Sequence, residues 1–544
     1  MSADIYDFLS SPQVDSILLT HPNRLFSSTE FCVPSEWSSW WNWAGLEEDE
    51  LSGPKWLLLL RYYARSQDGN QAQDWISIPE ELKSIIDRAR RMQVSREMDG
   101  PVVLSVSPST SVLALVGHDQ DSEAPSKTPV RSEDRIFGMS PKKAHEIIRM
   151  SSFLSKFLSS SPQLASVKHA VDVGAGQAYL SRAMRDKLGL HVLALDWSDV
   201  QSKGAVRRET IGPKKWKRRS SRSANDPVSD ANMTGESQNG PPACEHAKTG
   251  TLTYKTLEIR SDSLLCAVNE WAEEVLATQG SDASSPPVPM LFVALHACGS
   301  LTPNVLRAFT SRLRSTEPRT IWVPRAAVIV GCCYNLLEAG DFPLSCTLKL
   351  RSHEPPAMTF TPNHLHLAAQ MPGQWLRTQD TLSAAKLAVR KVVWRAVLQS
   401  ILEKHDASSV QTSSTNCDAD LDETAIINGE TPALRRLGRL NDSAYADWET
   451  FVGRAQHRLG IMLDPALCAK DPSTESRLEV FQVLRCILGP VVESLILLDR
   501  EEWLRDELEG TSMNVQLVNL FDQASGSARN VAIVITPRAT THGG

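Results

Sequence analysis

Residues 170–196 constrain the fold more than any other stretch of the chain. Ala170–Val173 is a short β-rich run that leads into Asp172-Val-Gly174-Ala-Gly176. Tyr179–Leu188 has a helical pattern, and Val192–Leu195 is a second β-rich run closed by Asp196. Two strands separated by a single helix cannot pair as a hairpin, so this spacing predicts a parallel pair with a crossover helix. The pattern recurs. Leu291–Leu295 precedes a helix candidate at Thr302–Leu313, Ala327–Val330 precedes a weaker one after Tyr334, and a weaker strand at Leu252–Ile259 precedes Asp262–Ala277. Alternating strand and helix predicts an α/β, Rossmann-like doubly wound sheet. At the end of the chain, Val515–Phe521 and Val531–Thr536 are close enough to form an antiparallel hairpin.

The rest of the chain is arranged around that sheet. Residues 1–117 read as an N-terminal helical domain, with helices at Trp37–Ala44, Pro54–Arg65 and Pro79–Gln93. Trp37, Trp40 and Trp41, at helical spacing, form a stripe suited to core packing. Residues 118–135 are polar and rich in Pro and Ser, the composition of a linker. Ser140 and Pro141 then cap a helix running to about Leu158. Residues 136–540 read as one α/β domain stretched by insertions at 203–250 and 406–432, both too polar for a core. Helices are expected over Leu382–Glu403, within 442–488 and over Leu498–Leu508, and His364-x-His366 reads as strand alternation. The 544 residues are 41% hydrophobic and 22% charged, ordinary globular values that exclude a wholly disordered or fibrous chain. Ten cysteines without a signal-peptide pattern predict free thiols in a reducing compartment. Apolar runs fall short of the ~20 residues of a membrane helix, so the expectation is a soluble intracellular protein.

The Gly-rich turn carries the first chemistry. Gly174 and Gly176 remove side chains where the backbone must turn and approach a ligand, and the helix that follows offers unpaired N–H groups. Asp196 closes the second strand, where a carboxylate can accept hydrogen bonds from ribose hydroxyls. This pattern fits any nucleoside cofactor. A dinucleotide site wants a third glycine at the position of Tyr179, whose bulk weakens that reading. An S-adenosylmethionine site needs no pyrophosphate cradle and accommodates an acid such as Asp172. A ligand-free tight turn is the bland alternative.

Two further blocks follow strand candidates: Leu295-His-Ala-Cys-Gly-Ser-Leu-Thr302 and Gly331-Cys-Cys-Tyr-Asn-Leu336. His296 is the candidate base, because imidazole titrates near neutral pH, and a loop-bracing hydrogen bond is its structural alternative. Cys298 is a candidate nucleophile or a small buried hydrophobe. With Cys332 and Cys333 these residues also make a ligand set for zinc, but adjacent cysteines rarely point at one ion, so no metal is assigned. The net charge of −7 gives no global reason to bind nucleic acid. Yet Lys203 to Arg222 holds nine basic residues and one acid. That segment reads as an RNA-phosphate grip, a nuclear-localisation signal or a solvated loop.

Together with MSPKKAHE (139–146), VDVGAGQAYLS (171–181), LLDR (497–500), LFD (520–522) and SARN (527–530), these blocks resemble the methyltransferase-like protein 25 family, whose members include proteins named for an rRNA adenine dimethylase domain. The resemblance spans roughly 135–540. It implies a class I S-adenosylmethionine-dependent methyltransferase with Asp172, Gly174, Gly176 and Asp196 at the cofactor and His296 and Cys298 at the end of the fourth strand; the His-x-Cys-Gly and Cys-Cys blocks are also similar to a tRNA 2′-O-methyltransferase family, a hint toward RNA as the substrate class. Gln177 and Ala178 stand where the family has Lys-Gly, and Ser300 stands where it has Asp. These departures keep a second reading open, a methyltransferase-like binding module without catalysis. A nicotinamide-dependent oxidoreductase is the third.

Overall fold

The computed structural model describes residues 1–26, 32–46, 53–65, 75–96, 139–201, 203–204, 250–279, 286–316, 320–413, 437–523 and 528–538. The expected linker at 118–135, most of the insertions at 203–250 and 406–432, and the basic segment beyond Gly204 lie outside the described residues.

Seven strands form one sheet: β1 (His169–Val173), β2 (His191–Asp196), β3 (Leu252–Thr256), β4 (Val288–Cys298), β5 (Trp322–Cys332), β6 (Met513–Asn519) and β7 (Val531–Pro537), in the order β3-β2-β1-β4-β5-β7-β6. β1 to β5 are parallel, and β7 lies antiparallel between β5 and β6. The expected α/β fold and terminal hairpin are both present. Every residue of β1 is buried, as befits a central parallel strand covered on both faces. On one face, Ala170, Leu291, Val293, Val328 and Val330 pack with Ile147, Met150, Leu154 and Phe157 of the Pro141–Ser159 helix. Strand order reverses between β1 and β4, and the crevice outside the carboxyl ends of those strands is where open α/β sheets bind ligands.

The chain forms two compact units, residues 1–94 with 350–495 and residues 95–349 with 496–544. The sheet belongs to the second. Among its described residues the first has helices as its only regular elements. Trp37 and Trp40 are fully buried there, with ring centroids 5.3 Å apart and Trp37 5.2 Å from Phe481. The Trp stripe is therefore core. The expected division at 117, with 136–540 as one domain, is redrawn, because residues 350–495 supply the apolar surface that residues 1–94 need.

Two local expectations also change. His364 and His366 lie on a short helix, Pro362–Leu367, in which His364 caps Thr361. A single helix, Pro472–Glu507, runs through Gly489 and Pro490 and absorbs the expected helix at Leu498–Leu508. Among the described residues it alone is long and apolar enough to cross a membrane, with a mean hydropathy of 1.8 over its best window. That window is 94% buried inside the protein, which makes it a core helix. Arg485 and Glu493 interrupt the apolar run in sequence, yet both are buried.

Candidate active site

The turn after β1 is built from left-handed backbone. Gly174, Gly176 and Ala178 have φ of +75°, +54° and +52°. Gly174 and Ala175 donate their N–H groups to the Leu195 carbonyl at 2.9 Å each. Gly176 donates to Asp196 Oδ2 at 2.8 Å, and Ser198 donates to Oδ1 at 2.9 Å. Asp196 thus latches the turn to the end of β2, and each oxygen keeps a second lone pair for a ligand. A Cβ on Gly174 would sit 3.0 Å from Leu301, whereas one on Gly176 would enter open space.

Asp172 lies at the floor of this turn, 2% exposed, and accepts the Ser181 hydroxyl at 2.5 Å. Burial pushes its carboxyl up to about 6; the Ser181 hydrogen bond opposes the rise and the Asp196 charge adds to it. A cavity of about 320 Å³ opens above both carboxylates, within the range of small-molecule sites. Its walls include Asp172, Gly176, Asp196, His296 and Cys298, with Trp197 at its rim. Trp197 is 79% exposed, which leaves its ring face free of the core.

The residues fit S-adenosylmethionine. Two carboxylates flank a space closed by glycine backbone, which suits a cationic ligand with ribose hydroxyls, and an aromatic face stands beside the acid at the end of β2. Tyr179, at the third-glycine position of a dinucleotide motif, is buried in the core with Leu180, Ala183 and Met184.

β4 delivers His296 by an irregularity. Ala294 pairs with Ile329 and Ala297 with Gly331, so β4 carries one residue more than β5 in that interval. Such a bulge re-aims a side chain at a strand end. His296 Nε2 lies 3.2 Å from Glu146 Oε2. Glu146 is almost fully buried on the Pro141–Ser159 helix, with Lys142 Nζ at 4.0 Å from its other oxygen. Glu146 closes the MSPKKAHE block, yet the sequence alone assigned it no role. Its signal was an acid at the head of the apolar series Met150, Phe153 and Phe157. Trp197 was missed as well, although it directly follows Asp196.

Cys298 and Cys332 are register partners on β4 and β5, with Sγ atoms 3.2 Å apart. Cys333 Sγ lies 3.4 Å from Cys332 Sγ. Cys333 adopts a left-handed conformation with φ +47°, the strained backbone that adjacent cysteines need to point the same way. Cys298 is the pair's acidic thiol: a hydrogen bond from Cys332 lowers it to about 6, while sharing that bond and burial push Cys332 up.

The departures from the family pattern fall into place. Ala178 holds a conformation that favours glycine, and Gln177 hydrogen-bonds Gln201. Ser300 Oγ accepts the Glu338 N–H at 2.9 Å, so it braces the loop after β5. Asp499 of the LLDR block accepts the Leu344 and Ser345 N–H groups at 2.8 Å each, and Arg500 lies over the Tyr334 ring at 5.4 Å. Asn530 of the SARN block accepts the Leu520 N–H at 2.7 Å and donates to the Arg96 carbonyl, fixing the β6–β7 turn.

A family model described as a methyltransferase domain matches residues 142–340. The chain is 24% identical over 495 residues to the human protein named probable methyltransferase-like protein 25, covering 73% of this chain and 74% of that protein. The mouse protein of the same name is 25% identical over 511 residues, with 73% and 75% covered. No solved structure matches the chain.

Proposed function

We propose that this chain, which is similar to probable methyltransferase-like protein 25 and carries a methyltransferase domain, is an S-adenosylmethionine-dependent methyltransferase acting on RNA. The observation that carries the cofactor reading is the pairing of Asp172 and Asp196 across the Gly174–Gly176 turn, in the wall of a cavity of suitable size. When bound, the cofactor supplies a methyl group on a positively charged sulfur. The chain's own residues do the rest. Asp196 would accept ribose hydroxyls, Asp172 would contribute negative charge to a cationic ligand, and Trp197 would offer a stacking face to the base.

His296 acts on the acceptor. Its Nε2 lies 3.2 Å from Glu146 Oε2, so the buried carboxylate orients the ring and would stabilise positive charge on it when the imidazole takes the acceptor's proton. Cys298, in the same wall, is the second candidate for contact with the acceptor. RNA is favoured by the basic segment Lys203 to Arg222, which begins seven residues beyond Asp196. The reading without catalysis was motivated by Ser300, but Ser300 contacts Glu338 and is not a wall of the cavity.

Calorimetry with S-adenosylmethionine and its demethylated product tests the proposal. Binding is expected for both, weakened at least about tenfold in Asp196→Asn, since hydrogen bonds to a charged group contribute about 1.5–3 kcal/mol. Absence of binding at millimolar ligand would sink it. Methyl incorporation from labelled cofactor into cell extract, abolished by ribonuclease, tests the acceptor class.

A further inference from the structure

We propose that Cys298, Cys332 and Cys333 form a binding site for one zinc ion, held by three thiolates with its fourth position left to solvent. The three Sγ atoms all lie within 4.8 Å of one another. Tetrahedral zinc with bonds of about 2.3 Å needs sulfurs roughly 3.8 Å apart. The observed separations of 3.2 Å and 3.4 Å reach that by small side-chain rotations.

The backbone is shaped to bring these thiols together. A strand alternates its side chains, so Cys332 and Cys333 would normally face opposite sides. The left-handed turn at Cys333 (φ +47°, ψ +51°) swings the second thiol back beside the first. That conformation costs a non-glycine residue about 1–2 kcal/mol and persists only where the surroundings enforce it. Gly299 supplies the enclosure: a Cβ there would lie 2.4 Å from the Leu336 carbonyl oxygen, so the loops after β4 and β5 are in contact around the cysteines. The third element is charge. Zinc bound by three thiolates carries one net negative charge, and Arg529 lies close enough to act on Cys298 and Cys333 electrostatically. On binding, three S–H protons leave to solvent as three Zn–S bonds form, with no change of oxidation state.

Cys298 also lines the cavity described above, so the ion would stand at the wall facing the methyl acceptor. Zinc sites with three protein ligands and an exposed fourth position are the kind that act on a substrate. The metal proposal does not depend on the cofactor reading, and its test uses no methyl donor.

The full-length protein, purified under reductant and freed of adventitious metal, is titrated with Co²⁺ and then with Zn²⁺. One equivalent of Co²⁺ is expected to give thiolate-to-cobalt charge-transfer absorption, displaced by one equivalent of Zn²⁺. Cys298→Ser and Cys333→Ser are each expected to weaken binding at least about tenfold while circular dichroism and thermal unfolding show the fold retained. Should either variant fail to fold, protection of three thiols from alkylation by Zn²⁺ in the unaltered protein, located by peptide mapping, decides the matter. Absence of the charge-transfer band would overturn the proposal. So would three thiols that stay reactive with Zn²⁺ present, or a Cys298–Cys332 disulfide in metal-free protein that equimolar Zn²⁺ does not prevent.

Discussion

Asp172 is a residue of the candidate site held at a cost to the fold. Its carboxyl is raised from about 3.8 to about 6 by burial. Between those values the unfolded chain ionises the group while the folded chain keeps it protonated. Folding stability therefore falls as pH rises through that window, and the loss is complete above it. A rise of that size corresponds to about 3 kcal/mol. Asp172→Asn still accepts the Ser181 hydroxyl and never ionises. It is expected to be up to about 3 kcal/mol more stable than the natural protein at pH 7.5, with the gap closing below pH 4. Denaturant unfolding at the two pH values checks this, and equal stability at pH 7.5 would refute the burial argument. The same variant is expected to bind S-adenosylmethionine more weakly. Asp172, Asp196 and His296 were legible in the sequence because the ends of parallel strands converge on one crevice. Glu146 was not, since it meets His296 only through tertiary packing. The joint aim of Cys332 and Cys333 was hidden too, because no local pattern encodes a left-handed cysteine.

At the scale of elements, two glycines separate folding from binding. Gly299 and Gly176 both have positive φ, +52° and +54°. Alanine at either costs about 1–2 kcal/mol in backbone strain. At Gly299 the added methyl also meets the Leu336 carbonyl oxygen at 2.4 Å and displaces backbone, whereas at Gly176 it meets nothing within 4 Å. Gly299→Ala is expected to lose on the order of 3 kcal/mol in unfolding experiments. Gly176→Ala is expected to lose about half as much stability but to weaken cofactor binding, because the methyl projects where a ligand would lie. If both variants lost stability equally, the packing argument would fail. The strand cores of β4 and β5 were legible as apolar runs, but their ends were not. Pro289 and Pro324 lie outside the expected runs Leu291–Leu295 and Ala327–Val330. In the fold they sit near the strand entrances, where β5 carries an extra residue between Pro324 and Ala326.

At the scale of the whole molecule, the sheet could be read from its repeating strand–helix units, because each unit is local. The helical unit could not, because its two halves are separated by the entire run of β1 to β5. Residues 1–94 bury their apolar faces with segments between 350 and 495. Tyr6 Oη accepts the Met358 N–H at 2.9 Å, the Trp37 ring packs on Phe481, and the Arg477 side chain donates to the Trp41 carbonyl at 3.1 Å. Arg485, whose guanidinium is pulled down to about 10 by burial, donates to the Leu18 carbonyl at 3.2 Å. Without residues 350–495, Tyr6, Trp37 and the Leu18 and Trp41 carbonyls lose these partners. Burying a large aromatic side chain contributes roughly 3–5 kcal/mol by the cost of its removal, a large fraction of the total stability of a small domain. A fragment of residues 1–96 is therefore expected to show no cooperative thermal transition and to bind a dye specific for exposed apolar surface. The full-length protein is expected to keep a cooperative transition that Phe481→Ala lowers by several degrees. A sharp transition in the isolated fragment would instead make the N-terminal segment a domain in its own right, as the helical pattern of residues 1–117 predicts.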